Sequence, residues 1–145
     1  MVSEFSRRPM SKLPTVLLVD DDPTTNFLHR LLLQKMDVAE QLVVAENGAQ
    51  ALHMLTQARD TADAAAYPAL ILLDVNMPIM GGVEFLEAYQ LLSPTLAFRP
   101  LIFVLTTSMH RLELDQLLAL PVAGVLSKPL TREKVATILA EHFPT

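Results

Sequence analysis

Five short apolar runs alternate along the chain with longer segments in which apolar residues recur every three or four positions. The runs have the length of strands and lie at residues 16–19, 42–45, 70–73, 101–105 and 122–126. They are continuously apolar, which is the pattern of strands that are covered on both faces. Strands of this kind, separated by helices, are typical of βα units that wind onto a parallel sheet. The pattern therefore predicts an α/β fold with five strands and five helices.

Three of the longer segments begin with residues that favour the start of a helix. Asp22 followed by Pro23 matches an N-cap and a first helical residue. Asn47 and Thr131 match the N-caps of two later helices. The apolar positions that mark the five helices are Phe27, Leu28, Leu31 and Leu32; Ala51, Leu52, Leu55 and Ala58; Val83, Leu86 and Tyr89; Leu114, Leu117 and Leu118; and Val135, Ile138, Leu139 and His142.

The two ends of this pattern define the predicted domain boundaries. Residues 1–13 are polar, contain Arg7, Arg8 and Lys12, and show no hydrophobic period, so we expect a flexible N-terminal arm. Residues 14–145 contain all the predicted elements and are expected to form a single domain.

Composition and charge narrow the function. The chain contains no Cys, which excludes disulfides and thiolate chemistry. Its formal net charge of -5 leaves no basic field for a nucleic-acid backbone or an anionic membrane surface. No apolar run approaches the ~20 residues of a membrane span, and the N-terminus has no apolar core typical of a signal peptide. We therefore expect a cytoplasmic protein that binds neither nucleic acid nor membrane directly.

Polar side chains follow four of the five predicted strands. Three consecutive carboxylates, residues 20–22, follow the first strand, and Asp74 ends the third. Thr106 follows the fourth strand, and Lys128 comes directly after the fifth. Because ligands of open α/β sheets bind outside the carboxyl ends of the strands, these residues are expected to converge on one pocket.

The residue types at this edge suit phosphoryl chemistry. Adjacent carboxylates repel one another and raise each other's pKa unless a cation, a helix N-terminus or water offsets the repulsion. An oxygen-only site of two or three carboxylates is what Mg²⁺ prefers. Lys128 then supplies a point charge and Thr106 a hydrogen-bond donor for a phosphoryl group. Asp74 is left to act as a nucleophile that forms an acyl phosphate.

Each of these residues also has an ordinary structural explanation when it is taken alone. Residues 20–22 match a solvated helix cap, and Asp74 matches a loop acid. Thr106 and Lys128 match a strand-end hydroxyl and a solvated ammonium. The coincidence of all four features at four strand ends favours the functional hypothesis.

Four motifs, in this order and at these distances, resemble the receiver domain of two-component response regulators. They are VLLVDDDP at the first strand, LILLDVNMPIMGG around Asp74, FVLTTS at the fourth strand and GVLSKPL at the fifth. The resemblance extends over about residues 15–143. It implies a flavodoxin-like, doubly wound parallel sheet of five strands in the order 2-1-3-4-5, with five helices. Because the resemblance ends with the chain, we expect a stand-alone, single-domain response regulator.

The resemblance also implies a metal site and a phosphorylation site. Asp20 and Asp21 match the family's acidic pair, and Asp74 matches its phosphoacceptor. Asn76 matches the residue whose main-chain carbonyl joins Asp20, Asp21 and Asp74 as ligands of Mg²⁺.

A second group of positions corresponds to the family's switch. Thr106 matches the hydroxyl that turns toward the phosphoryl group, and Lys128 matches the family's lysine, before a Pro129 that is usually in a cis peptide bond. Val125 departs from the pattern, because many receivers have an aromatic residue there as the partner of the switch hydroxyl. Asn76 and Ser108 each lie two positions beyond a key residue and are expected to tune the lifetime of the phosphoryl group.

The function implied is a phosphorylation switch. A histidine kinase or histidine phosphotransfer protein, docking near the first helix, donates its phosphoryl group to Asp74 in a Mg²⁺-dependent reaction. The domain catalyses only its own phosphorylation and dephosphorylation and is not otherwise an enzyme. Its output is a changed affinity for a downstream protein partner.

Two alternatives remain at this stage. Residues 20–24 also fit D-x-D-x-T, the nucleophile motif of haloacid-dehalogenase-like phosphatases, in which Thr106 and Lys128 would also serve. That family requires a further acidic pair after the lysine, and only Glu133 and Glu141 follow it here. The other alternative is a receiver-like scaffold that binds its partners independently of phosphate.

Overall fold

The computed structural model describes residues 12–107 and 110–144, which form five strands and five α-helices in alternation. The strands are β1 (Leu13–Val19), β2 (Ala39–Ala45), β3 (Leu70–Asp74), β4 (Leu101–Thr106) and β5 (Gly124–Ser127). The helices are α1 (Pro23–Lys35), α2 (Gly48–Thr61), α3 (Gly82–Leu92), α4 (Arg111–Leu118) and α5 (Arg132–His142). Single 3₁₀ turns lie at Ala64–Ala66 and Ser93–Thr95. Within the described ranges, no helix combines the length and apolar character needed to cross a bilayer.

The strands form one sheet in the order β2-β1-β3-β4-β5, and every neighbouring pair is parallel. This confirms the flavodoxin-like, doubly wound fold. The winding direction reverses at β1, and the carboxyl ends of β1 and β3 lie side by side at that point. In such sheets the reversal leaves a crevice at the carboxyl edge of the strands.

Both faces of the three central strands, β1, β3 and β4, are buried, as the continuous apolar runs predicted, whereas the edge strands β2 and β5 are partly exposed. Alternate residues of each strand point to opposite faces, so that Leu17 and Val19 enter one cluster while Val16 and Leu18 enter the other. The first cluster is completed by α2, α3 and α4, and the second by α1 and α5. The sheet is therefore a rigid middle layer whose carboxyl edge carries the polar residues.

The three predicted helix caps are confirmed. The side chain of Asp22 accepts a hydrogen bond from the N–H of Thr24, and Pro23 is the first residue of α1. Asn47 caps α2 and Thr131 caps α5 in the same way. These helix starts depend on local hydrogen bonds, which explains why the sequence located them.

Three strands begin at other residues than the apolar runs predicted. β2 begins at Ala39, which pairs with Leu13 of β1. β1 begins at Leu13, whose N–H donates to the carbonyl of Val38, so the last residue of the expected arm belongs to the sheet. The rest of that arm, residues 1–11, lies outside the described residues. β5 begins at Gly124, because Val122 donates its N–H to the carbonyl of Leu120 in a tight turn. Leu120 and Val122 pack against the core from this loop.

Helix α1 turns a different face to the core than its apolar residues suggested. Its buried residues are Asn26, His29 and Leu33. Phe27 and Leu28 are 63% and 55% exposed. The Nδ2 of Asn26 donates a 2.8 Å hydrogen bond to the main-chain carbonyl of Asp20, a contact that holds the polar face inward. The helix is confirmed, but part of its apolar surface faces solvent.

Two leucines of α1 test this orientation. Leu33→Ala empties a fully buried position, so we expect the free energy of unfolding to fall by about 2–5 kcal/mol. Leu28→Ala, the matched change on the exposed side of the same helix, is expected to lower it by no more than about 0.5 kcal/mol. Urea unfolding followed by circular dichroism measures both. Equal losses for the two variants would show that α1 is rotated from the orientation described here.

Candidate functional site

The predicted site residues converge at the carboxyl edge of the sheet. Asp20 and Asp21 follow β1, and Asp74 is the last residue of β3. Thr106 ends β4, and Lys128 comes directly after β5. The strands are parallel and neighbouring, so their ends lie at the same edge.

Three carboxylates form a compact cluster. One oxygen each from Asp20, Asp21 and Asp74 lies within 4.8 Å of the other two. Asp20 and Asp74 are buried, whereas Asp21 is exposed, so the cluster is open to solvent on one side. An all-oxygen donor set with room for water fits Mg²⁺, which usually keeps several of its waters.

Asp22, the third consecutive acid, has a separate role. Its carboxylate accepts hydrogen bonds from the Thr24 N–H at 3.2 Å and the Thr25 hydroxyl at 2.6 Å. These bonds, that of Thr25 first, lower the pKa of Asp22. The main-chain N–H of Asp22 donates to Oδ1 of Asp20 at 3.0 Å. The acidic triplet is thus divided between two carboxylates in the cluster and one helix cap.

Lys128 bridges the two buried carboxylates. Its Nζ lies 3.0 Å from Oδ2 of Asp20 and 2.9 Å from Oδ1 of Asp74. Its main-chain N–H donates to the carbonyl of Thr106 at 2.8 Å, which fixes the start of the loop after β5. The bond between Lys128 and Pro129 is cis, as the resemblance implied.

Burial and the contacts between Lys128 and the carboxylates act in opposite directions on the pKa values of Asp74 and Lys128. Burial raises the pKa of the Asp74 carboxyl above its ordinary value, and the hydrogen bond from Lys128 offsets that rise only in part. The negative charge of Asp20 adds to the rise. Burial lowers the pKa of Lys128, but its bonds to Asp74 and Asp20 outweigh burial and the pKa is raised. Lys128 is therefore charged, and a divalent cation in the cluster would favour the ionised, nucleophilic form of Asp74.

Asn76 lies in the loop between β3 and α3, two residues beyond Asp74. The loop is closed by a 2.8 Å hydrogen bond from the N–H of Gly82 to the carbonyl of Val75. A Cβ on Gly82 would lie 2.7 Å from the carbonyl oxygen of Asp74, so only glycine allows α3 to start this close to the site. The predicted contribution of the Asn76 carbonyl to a metal remains a prediction.

The two positions that correspond to the family's switch, Thr106 and Val125, lie on the neighbouring strands β4 and β5. Thr106 is buried at the end of β4, with Asp74 on the neighbouring strand β3. Val125 lies on β5 opposite Val104 and packs against the core. The aromatic partner of many receivers is therefore replaced by a core residue. Ser108, the second predicted tuning residue, lies outside the described residues.

Two residues of α1 adjoin the site and were not assigned to it from sequence. Asn26 donates to the carbonyl of Asp20, and His29 is buried beside Asp20 and Lys128. Burial is the main cause that lowers the pKa of His29, so its imidazole favours the neutral form. Positions 26, 29 and 33 share one helix face, and the two polar residues on that face were the available signal.

The sequence of residues 16–140 matches the family described as the response regulator receiver domain. Among curated relatives, the two-component response regulator ORR41 of rice, Oryza sativa subsp. japonica, is 29% identical over 130 residues, which are 90% of this chain and 94% of ORR41. Among solved structures, the chemotaxis protein CheY4 of Vibrio cholerae is 28% identical, with a TM-score of 0.70 over 90% of this chain and 98% of that one. Both similarities extend over almost the whole fold.

Another relative is much longer than this chain. The protein-glutamate methylesterase/protein-glutamine glutaminase 3 of Burkholderia thailandensis is 32% identical over 93 residues, which are 64% of this chain. The chain spans 24% of the length of that protein. The similarity therefore concerns one part of the methylesterase, and its named activity is not carried over.

Because the pKa of Asp74 is raised, we expect the difference in stability between the wild type and Asp74→Asn to depend on pH. An aspartate whose folded pKa is raised destabilises the folded state once the pH exceeds its ordinary value, because burial then opposes ionisation. In EDTA at pH 7 we expect Asp74→Asn to raise the melting temperature by a few degrees. Below the ordinary pKa of Asp the gain should vanish, since Asp74 is then protonated in both states.

The matched control for this prediction is Asp115→Asn. It removes an exposed carboxylate of α4 and changes the net charge equally. We expect it to leave the melting temperature at pH 7 nearly unchanged. A gain for Asp74→Asn that persists at low pH, or an equal gain for the control, would contradict the assignment of a strained buried charge to Asp74.

Proposed function

Because this chain belongs to the response regulator receiver domain family, we propose that it works as a phosphorylation switch that accepts a phosphoryl group on Asp74. The family serves two-component signalling, and its members are signalling domains rather than dedicated enzymes. The observation that carries the proposal is the position of Lys128, whose ammonium lies within 3.0 Å of both Asp20 and Asp74. A cation between these two acids supplies the positioning and charge neutralisation on which phosphoryl transfer depends.

The transfer divides the work among the site residues. An oxygen of Asp74 attacks phosphorus, the bond from phosphorus to the donor nitrogen breaks, and the imidazole of the donor histidine leaves with a proton from solvent. Asp20, Asp21 and Asp74, with the carbonyl of Asn76, would hold Mg²⁺. When bound, this ion neutralises charge on the phosphoryl oxygens. Lys128 meets one phosphoryl oxygen as a point charge.

The same residues explain how the phosphorylated state would differ. A phosphoryl group on Asp74 gives Lys128 a new anionic partner in place of the bare carboxylate. The hydroxyl of Thr106, at the end of the neighbouring strand, is the hydrogen-bond donor proposed to turn toward this group. Phosphorylation would thus shift the equilibrium of β4 and the loop that follows it. Because Val125 is a core residue, the shift is not proposed to pass through an aromatic side chain at that position.

A surface beside the site suits the phosphoryl donor, a histidine kinase or a histidine phosphotransfer protein. Exposed Phe27 and Leu28 lie on α1, and a groove of about 490 Å³ runs between α1 and the loop after β5. Its lining includes Leu28, Lys128 and Pro129. An apolar partner surface placed on this groove would bring its phosphohistidine close to Asp74. Such donors obtain their phosphoryl group from ATP inside the cell, so the proposal also places the chain in the cytoplasm.

The output surface is proposed to be the α4 side of the molecule. Leu112 and Leu118 of α4 are exposed there, whereas Leu117 is buried in the core. Exposed leucines on an element next to the switch strand fit a protein partner whose affinity depends on the state of Asp74.

The phosphatase alternative is not supported by the placement of its required acids. Glu133 and Glu141 lie on α5, where they line a shallow groove beside β5 with Phe103 and Leu126. The carboxylates that do join the cluster are Asp20, Asp21 and Asp74, and the phosphatase motif leaves Asp74 without a role. The scaffold alternative makes no use of the cluster and is separated from the switch by the following measurement.

Intact mass spectrometry after incubation with acetyl phosphate tests the switch. We expect the wild type to gain one phosphoryl group with Mg²⁺ and none in EDTA, because the carboxylate cluster needs the cation to admit a phosphoryl group. Asp74→Ala should gain none under either condition. No adduct on the folded wild type would favour the scaffold. An adduct that survives Asp74→Ala but is lost in Asp20→Ala would favour the phosphatase.

A charge placed on α1 tests the docking surface. Burying one leucine side chain is worth about 1.5–3 kcal/mol. We therefore expect Leu28→Asp to lower kcat/KM for transfer from a histidine kinase that phosphorylates the wild type by at least about tenfold. Phosphorylation by acetyl phosphate should not change, because the small donor needs no docking surface.

Leu91→Asp is the control for the docking test. Leu91 is 83% exposed on α3 and is not among the residues that line the groove. The same substitution there should leave both rates near those of the wild type. Equal losses of kinase transfer in the two variants would argue against α1 as the docking surface.

A further inference from the structure

Lys134 is a cation at a position that does not favour one. It is the third residue of α5 after the cap Thr131, and its own N–H donates to the Thr131 hydroxyl oxygen at 3.2 Å. Near the N-terminus of a helix the macrodipole favours acidic side chains and disfavours cations. The third position is also where a capping box places Glu or Gln. The helix by itself therefore slightly disfavours Lys134 here, and the other contacts of Lys134 offset that cost.

The compensation comes from the loop between β5 and α5. The Nζ of Lys134 donates to the carbonyl of Ser127 at 2.6 Å and to the carbonyl of Pro129 at 2.9 Å. A third bond, of 3.2 Å, goes to the Ser127 hydroxyl. An ammonium has three hydrogens, so each has an acceptor. In the described part of the chain, no carboxylate forms an ion pair with Lys134.

The residue between these acceptors is Lys128. The peptide unit that joins Ser127 to Lys128 is held at both ends. Its N–H donates to the Thr106 carbonyl at 2.8 Å, and its oxygen accepts the 2.6 Å bond from Lys134. On the other side of Lys128, the carbonyl of Pro129 also accepts a hydrogen bond from the Nζ of Lys134. Lys134 therefore restricts the main chain from which the Lys128 side chain extends.

We infer that Lys134 is a positioning residue for phosphoryl transfer. By holding the loop through its two carbonyls, Lys134 keeps the Lys128 ammonium between Asp20 and Asp74, where the incoming phosphoryl group arrives. The inference rests on the proposed transfer to Asp74. Lys134 itself contacts the loop and not the reacting atoms. Its contribution is to the geometry of Lys128, and small displacements of a charged group at a reacting centre slow transfer strongly.

Phosphorylation by acetyl phosphate at saturating Mg²⁺ tests this role. In this reaction the bond from phosphorus to the acetyl oxygen breaks, acetate leaves, and the bond to Asp74 forms. Lys134→Met keeps the length of the side chain but removes all three donors, and we expect the initial rate to fall about tenfold. Lys134→Arg retains a cation with several donors and should restore the rate to within about threefold of the wild type.

Arg132→Met is the matched control. Arg132 lies in the same turn of α5, is exposed, and carries the same charge. We expect its rate to equal that of the wild type. A wild-type rate for Lys134→Met, or an equal loss in Arg132→Met, would overturn the inference, since the latter would indicate a general effect of charge. Circular dichroism confirms folding, and Lys134→Gln serves if Lys134→Met does not fold.

A double-mutant cycle separates positioning from a general structural effect. If Lys134 acts through Lys128, Lys134→Met should cause no further loss of rate in the Lys128→Ala background. A loss of about tenfold in that background as well would overturn the inference, because it would show that Lys134 acts independently of the Lys128 ammonium.

Crystal structures of the wild type and of Lys134→Met give a readout that does not depend on phosphorylation. We expect the Nζ of Lys128 to leave hydrogen-bond distance of Asp20 or Asp74 in the variant. If it stays in place, the inference is wrong even where the wild type is phosphorylated. If the wild type gains no phosphoryl group but Lys128 moves in the variant, the proposed function fails while the positioning role of Lys134 stands.

Discussion

The contact of one ammonium with two buried carboxylates is the constraint on which the rest of the site depends. Asp20 and Asp74 are 4% and 8% exposed, and both approach Lys128 within 3.0 Å. Removing Lys128 would leave these two buried carboxylates without their shared cation, which is strongly destabilising. The cluster nevertheless keeps Asp21 at its solvent side, where a hydrated cation can add its charge. The fold thus tolerates buried acids by pairing them with one ammonium and by leaving one side of the cluster open to solvent.

The sheet supplies the rigidity that this pairing needs. Strands β1, β3 and β4 are covered on both faces, so their ends move little relative to one another, and Asp74 and Thr106 are each the last residue of a buried strand. Lys128 differs because β5 is a short edge strand and the residue lies beyond its end. Hydrogen bonds fix its main chain instead of a covered strand. The Lys128 N–H donates to the Thr106 carbonyl, and the Nζ of Lys134 donates to the Ser127 carbonyl. Lys128 is therefore the site residue whose position depends on hydrogen bonds to a loop and not on a covered strand.

Helix α1 combines features that a helix serving only the core would not have. It buries Asn26 and His29 beside the site and exposes Phe27 and Leu28 to solvent. Burying polar groups is unfavourable unless they are hydrogen-bonded, and the bond from Asn26 to the Asp20 carbonyl partly meets this requirement. Of the exposed apolar residues, Leu28 lines the groove that leads to Lys128. Both features make sense if α1 supports the acidic cluster from within and receives a partner from outside.

The sequence by itself determined the features that depend on local chemistry. Apolar runs located five strands, the capping residues Asp22, Asn47 and Thr131 located three helix starts, and the polar residues at the strand ends predicted a cluster at one edge of the sheet. Only the tertiary structure decided which face of α1 is buried, where β5 begins, and that Lys128 contacts both Asp20 and Asp74. The hydrogen bonds of Lys134 to the loop were also beyond the sequence pattern. Helix periods and caps involve residues a few positions apart, whereas these contacts depend on how distant segments pack, and packing can reverse the face that a local pattern favours.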